Sequence, residues 1–255
     1  MPSFFMKDIE QKRLSPEESQ ERVLEIYQEL QRRSEHLREG NFKAFQPKDL
    51  EILFELYDAR FFDGQCQRHV DPAPLLFRLS KRMTKTGGKT TRREQRDRHG
   101  GVVYREYEIA VSATLLFQAF QEGQRPITVS GLPCRDRLEA LQRIFEHELV
   151  HLIEMVLWRD SSCSAPRFQS IANRYFRHTE HTHQLITAEE KAWEKGLQVG
   201  QRVEFTFEGR RKVGWINRIT RRVTVLVEDP RGQSYDDGKR YLKYYVPLGM
   251  LKRVK

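Results

Sequence analysis

The chain is poor in cysteine and has no long apolar run. Only Cys66, Cys134 and Cys163 occur in 255 residues. Three scattered thiols cannot build a disulfide framework, and they fit a reducing compartment, so a cytoplasmic location is expected. No stretch approaches the roughly 18 apolar residues of a membrane span. The opening "MPSFFMKDIEQKR" has no long apolar segment behind a basic one, so no secretory signal is expected. No long internal repeat is present either. What remains is a charge-rich composition, 32% charged against 38% hydrophobic, suited to a soluble globular protein with a real core.

The net charge of +9 is unevenly spread. Residues 81–100 carry 8 basic and 2 acidic side chains, and residues 201–255 carry 14 and 6. Residues 1–80 and 101–200 are slightly acidic. Two basic segments of this kind suggest a polyanionic partner such as nucleic acid.

Hydrophobic spacing and punctuation divide the chain. Ser15, Pro16, Glu17 and Glu18 read as a helix start, Val23, Ile26, Tyr27 and Leu30 recur at helical spacing, and Gly40 offers a stop, so an amphipathic helix is expected over 16–39. A second helix is expected over "QPKDLEILFELYDARFF", ended by Gly64, then a strand at 74–80. The basic run "KRMTKTGGKTTRREQRDRHGG" reads as turn-rich, "VVYREYEIAVS" as a strand, "ATLLFQAF" as a short helix and 121–134 as a loop containing "ITV". A long helix follows over 135–158, then a helix beginning at Ala165, then the polar loop "RHTEHTHQL". Near residue 197 the texture turns to short β-like runs at about ten-residue spacing, as in a small barrel of the SH3, Tudor or KOW type.

The chemistry lies in "FEHELVHLIEMVLW". On a helix His147 and His151 differ by about 40° in direction, so both imidazoles project from one face. Two such nitrogens can bind Zn²⁺, and Glu148 beside them is placed as a general base toward water. Ile144, Phe145, Leu149, Leu152 and Ile153 bury the rest of the helix, leaving His147, Glu148, His151 and Glu154 on its polar side. Glu154, one turn after His151, reads as a partner of that histidine.

Four stretches in order, "LFELYDARFFDG", "LFRLSKRMTKTGG", "YEIAVSATLL" and "FEHELVHLIEMV", resemble the SprT-like, Spartan-related zinc metalloprotease family over roughly residues 47–185. The resemblance implies an α+β fold: a zincin-like (minigluzincin) core with a small sheet beside the metal-binding helix. The domains expected are an N-terminal helical arm at 1–46, the metalloprotease domain at 47–187 and a basic SH3/KOW-like barrel at 197–255. Zn²⁺ is the implied cofactor, held by His147, His151 and a third ligand, with Glu148 catalytic.

The family's third histidine is missing. Ser164 stands in its place, a poor ligand suited to capping the next helix. Cys163 is the first alternative because a thiolate binds zinc well; His183, then His178 and His181, remain open. The four-cysteine zinc ribbon that follows in the family is absent, since no cysteine lies beyond Cys163.

Lys81, Arg82, Lys85, Lys89, Arg92 and Arg93 are the candidate phosphate contacts. In the barrel, Phe205, Phe207, Trp215, Tyr241, Tyr244 and Tyr245 stand among arginines and lysines, a composition suited to single-stranded nucleic acid or a peptide tail. The expected function is zinc-dependent hydrolysis of peptide bonds in a protein or peptide, with DNA-associated protein as the substrate the resemblance implies, and DNA as a partner through 81–100 and 201–255. The alternative is a non-catalytic nucleic-acid-binding protein with a structural zinc, which a closed four-ligand site would favour.

Overall fold

The computed structural model describes residues 4–254. The fold is α+β, and the chain divides into two compact units, Met1–Leu185 and Ile186–Lys255.

Helices α1 (Phe4–Gln11) and α2 (Pro16–Arg33) open the first unit, so the described residues of the arm expected at 1–46 lie within it. Ser15 starts α2: its hydroxyl accepts the Glu18 N–H at 3.1 Å while the Glu18 carboxylate accepts the Ser15 N–H at 2.8 Å, a reciprocal cap. The helix stops at Arg33, short of the expected residue 39. Ser34 ends it, donating to Asp49 Oδ1 at 2.6 Å and accepting the Leu37 N–H at 2.9 Å. Such local bonds compete with helix continuation. Gly40 is therefore no helix stop; it gives room, because a Cβ there would collide with Asp136 Oδ2.

Helices α3 (Pro47–Phe62) and α4 (Gln65–Val70) follow, separated by Asp63 and Gly64 in the left-handed conformation. Leu50, Leu53, Tyr57 and Phe61 of α3 are fully buried. Strands β1 (Leu75–Ser80), β2 (Gly88–Arg96) and β3 (Val102–Ser112) form a sheet in the order β1-β3-β2. β1 runs parallel to β3 and β2 antiparallel to it, which leaves β2 as an edge. The run expected to be turn-rich thus supplies a full strand, because Gly88 to Arg96 pairs along β3.

Helix α5 (Ala113–Gln118) precedes β4 (Ile127–Val129) and β5 (Leu132–Cys134). The segment expected as a loop therefore holds two strands. Ile127 and Val129 are buried, so their backbone groups need ladder partners rather than water. Helix α6 (Arg137–Leu157) carries the two histidines, α7 (Pro166–Phe176) follows it, and β6 (His183–Gln184) completes a sheet in the order β5-β4-β6.

α6 is the axis of the unit. Asp136 caps it, accepting from the Glu139 N–H at 2.9 Å and from Tyr27 Oη at 2.8 Å. Leu138, Leu141, Ile144, Phe145, Leu149 and Val150 are all fully buried along it. Its last turn has no basic residue of its own. Arg92 from β2 supplies one, donating to the Met155 carbonyl at 3.2 Å, where a cation suits the helix dipole.

The second unit contains α8 (Ala188–Glu194), β7 (Arg202–Phe207), β8 (Arg210–Ile219), β9 (Val223–Ser234), β10 (Arg240–Val246), a 3-10 turn at Leu248–Met250 and β11 (Lys252–Arg253). Its strands form one antiparallel sheet in the order β10-β9-β8-β7-β11. Val203, Phe205, Ile216, Val223, Val225, Val246 and Leu251 make its core, joined by Ala192 and Leu197. The unit thus begins before residue 197, because α8 contributes to that core. Among the described residues no helix is long and apolar enough to cross a membrane.

Candidate metal centre

His147 and His151 project from α6 with ring centroids 4.9 Å apart, as their four-residue spacing requires. The loop after α6 brings Cys163 to them. Ligand atoms of His147, His151 and Cys163 all lie within 4.8 Å of one another, so this group could hold a metal ion. Phe168 of α7 stands under both imidazoles, 4.8 Å from His147 and 4.5 Å from His151 between centroids. The group opens into a cleft of about 500 Å³ lined also by Lys85, Gly88, Lys89, Thr90, Glu148 and His183.

The donors suit a cation. Burial, with repulsion from His183 and His151, pushes the His147 pKa down to about 2. Burial takes His151 to about 4. Both rings are therefore neutral near pH 7, the form that binds metal. His147 Nδ1 is buried without a hydrogen-bond partner, an orphaned polar atom that a cation would satisfy.

His151 is oriented from behind. Its Nδ1 lies 2.6 Å from Ser161 Oγ, Ser161 donates to Glu154 Oε2 at 2.6 Å, and Arg167 Nε donates to Glu154 Oε1 at 2.6 Å. Since the Ser161 proton goes to Glu154, the His151 ring must donate from Nδ1. That leaves Nε2 as its ligand atom. Glu154 is thus a partner of His151 at one remove. Ser161 and Arg167 gave no signal in the sequence, because a serine in "RDSSCS" looks like any loop residue.

Glu148 is 2% exposed. Burial raises its pKa to about 8, against the opposing effect of Thr90. Thr90 Oγ1 lies 2.8 Å from Glu148 Oε2 and 2.9 Å from the Glu148 carbonyl. One hydroxyl proton cannot serve both acceptors at once, so Thr90 donates either to the Glu148 carboxylate or to its carbonyl. The edge strand reaches this close only because of two glycines. A Cβ at Gly88 would lie 2.5 Å from Glu148 Oε1, and one at Gly87 would lie 2.6 Å from His183 Nδ1.

The other histidines separate. His183 stands beside His147, ring centroids 4.7 Å apart, with Nε2 buried and unpartnered; burial and the nearby His178 and His151 take its pKa to about 4. His181 is exposed at the cleft. His178 is buried and engaged elsewhere, its Nε2 2.8 Å from Glu146 Oε2. Glu146 is completely buried, and Arg143 Nη1 at 3.0 Å and Tyr57 Oη at 2.6 Å also donate to it. Burial opposes its charge, but Arg143 and His178 outweigh burial and lower its pKa. Ser164 does not cap α7 through its side chain: the cap position is Ala165 and the helix begins at Pro166. Proline at that position needs no N–H partner.

The six basic candidates do not share one surface. Lys85 and Lys89 line the cleft, while Lys81 and Arg82 are exposed at the end of β1. Arg92 turns toward α6; Arg93, its neighbour, points to the opposite face of the strand and pairs with Glu106 at 2.7 Å. Comparison with protein-family models, curated proteins and solved structures finds no match for this chain.

Proposed function

We propose that the first unit is a zinc-dependent peptidase. The observation that carries this reading is the convergence of the His147, His151 and Cys163 ligand atoms within 4.8 Å, in a cleft that also receives the Glu148 carboxylate. Two imidazoles and a thiolate are a donor set for zinc, and three protein ligands leave one position open. Zinc bound there supplies Lewis acidity toward a peptide carbonyl and toward water. The positive charge of a zinc ion held there would favour the ionised form of Glu148, whose carboxylate would take a proton from the attacking water and return it to the leaving amine nitrogen. Thr90 holds that carboxylate in line, the Ser161–Glu154–Arg167 chain fixes the His151 ring, and Phe168 packs against both imidazoles. A zincin-like core and the SprT-like resemblance agree with the edge strand β2 lying along α6. An SH3-like second unit agrees with the order β11-β7-β8-β9-β10 and the 3-10 turn before the last strand. Protein associated with DNA is the substrate class carried over from the resemblance.

A second reading has its own observation. The unpartnered His183 Nε2 beside His147 would make a fourth ligand, closing the site as a structural zinc. One experiment separates the two. Zinc-loaded full-length protein is incubated with an unfolded protein substrate, alongside E148Q and H183A. The peptidase reading expects cleavage by the parent, loss of roughly 10²–10⁴-fold in E148Q with zinc retained, and zinc retained in H183A. Equal behaviour of parent and E148Q refutes it, and loss of zinc in H183A favours the structural site.

A further inference from the structure

The second unit carries a face that the peptidase chemistry does not use. Its sequence, residues 186–255, holds 16 basic and 9 acidic side chains. Strand register assembles one outward row across four strands: Arg202 on β7 opposes Trp215 on β8, Trp215 opposes Leu226 on β9, and Leu226 opposes Lys243 on β10. The adjacent row on the same face runs Arg218, Thr224, Tyr245. Val203, Ile216, Val225 and Val246 alternate with these positions and fill the core, so the two rows point away from it.

Two aromatic residues on this face are open to solvent. Trp215 is 46% exposed and Tyr245 is 62% exposed. Neither is needed to cover the core. Leu226 between them is nearly buried at 9%, which makes the ground between the rings apolar. The acidic side chains nearby are already engaged: Arg211 holds Glu204, and Lys239 lies 2.8 Å from Glu228. Among the described residues Arg202, Arg218 and Lys243 have no acidic partner. The Arg202 guanidinium instead lies 5.9 Å from the Trp215 ring centroid, a cation beside an aromatic plane.

We propose that this face binds single-stranded nucleic acid, with bases stacked on Trp215 and Tyr245 and phosphates met by Arg202, Arg218 and Lys243. The exposed rings decide between partners. A duplex keeps its base faces inside the stack and would use the cations alone. An acidic peptide would likewise leave two aromatic faces in water. An unpaired strand offers both a π-face and a phosphate at each nucleotide. The site stands independently of the metal centre, and its failure would leave the peptidase reading untouched.

The test uses the full chain and fluorescence anisotropy with labelled oligothymidine, oligouridine, a mixed-sequence duplex and a polyglutamate peptide of equal charge. The expected result is tightest binding to the single strands. Y245A and W215A should each weaken it roughly 5- to 150-fold, the range for losing one stacked base. W215F keeps a ring and should retain most of the affinity, which separates lost stacking from lost folding. R218A should reduce the slope of log affinity against log salt by about 0.7, one phosphate on a single strand. R231A, whose guanidinium already pairs with Asp229 at 2.8 Å, should leave affinity within about twofold. Binding of the duplex or of polyglutamate as tight as the single strand overturns the proposal. So does an unchanged affinity in both Y245A and W215A, or no single-strand binding at low salt.

Discussion

Replacing Glu146 by glutamine should destabilise the first unit more than any change at the surface. The substitution keeps shape and removes one charge. Arg143, whose side chain is 19% exposed, would then face Tyr57, His178 and the new amide without a counter-ion. Breaking a buried ion pair from one side costs about 3–5 kcal/mol, because the remaining charge stays desolvated. Some water reaches Arg143, so the lower end, about 3 kcal/mol, is expected. Two units in one chain make a single melting curve ambiguous. Hydrogen exchange followed by mass spectrometry avoids this, since peptides from α6 report on their own unit. Amides of α6 that exchange only by unfolding should speed up roughly 150-fold, the equivalent of 3 kcal/mol. The double variant R143M/E146L removes both charges and should lose much less than E146Q. Exchange in E146Q within fivefold of the parent, or a double variant as unstable as the single one, would show that this network does not stabilise the unit. The pH dependence has a defined sign. The Glu146 pKa is lowered on folding, so its contribution is present above its ordinary pKa near 4.5 and is lost as pH falls through the folded value.

The remaining expectations concern the cleft. S161A should weaken zinc binding roughly 10- to 100-fold, as removal of a ligand's supporting partner does; S161T should restore much of it, and chelator competition reads both. In chelator-treated protein, His147, His151 and His183 have folded pKa values of about 2, 4 and 4. Their stability contribution is therefore present above the unfolded value near 6.5 and is lost as pH falls below it, by on the order of 2 kcal/mol each at pH 5. Urea unfolding at pH 7 and pH 5 checks this, and equal midpoints in the α6 signal would contradict it.

Legibility followed locality. The α6 histidine pair and its glutamate are a short-range pattern, and helical geometry alone brings them together. Cys163 was reachable as a chemical argument, because few side chains near the missing histidine can ligate zinc. Ser161 and Thr90 were not reachable. Each acts on a residue brought near by tertiary packing, 10 and 58 positions away, and neither has a type or spacing that marks it. The strand in the basic run was hidden because its residues are polar on both faces: one side meets α6 through Thr90 and Arg92, the other meets solvent. The end of α2 was misjudged because Gly40 looked like punctuation, while its real role is steric and belongs to Asp136. Nothing in the sequence marks Glu146 as buried; only Arg143, Tyr57 and His178 together explain why it sits inside.

Helix α8 changes how the protein must be cut for dissection. A fragment begun at residue 197, where the β-rich texture starts, would carry the sheet without Ala192, which is fully buried in that unit's core. The apolar floor left uncovered would be a sticky patch, and a failure of such a fragment to bind anything would report aggregation rather than function. A fragment begun at Ile186 keeps the helix and its Thr187 cap, and is the one from which a negative result could be believed.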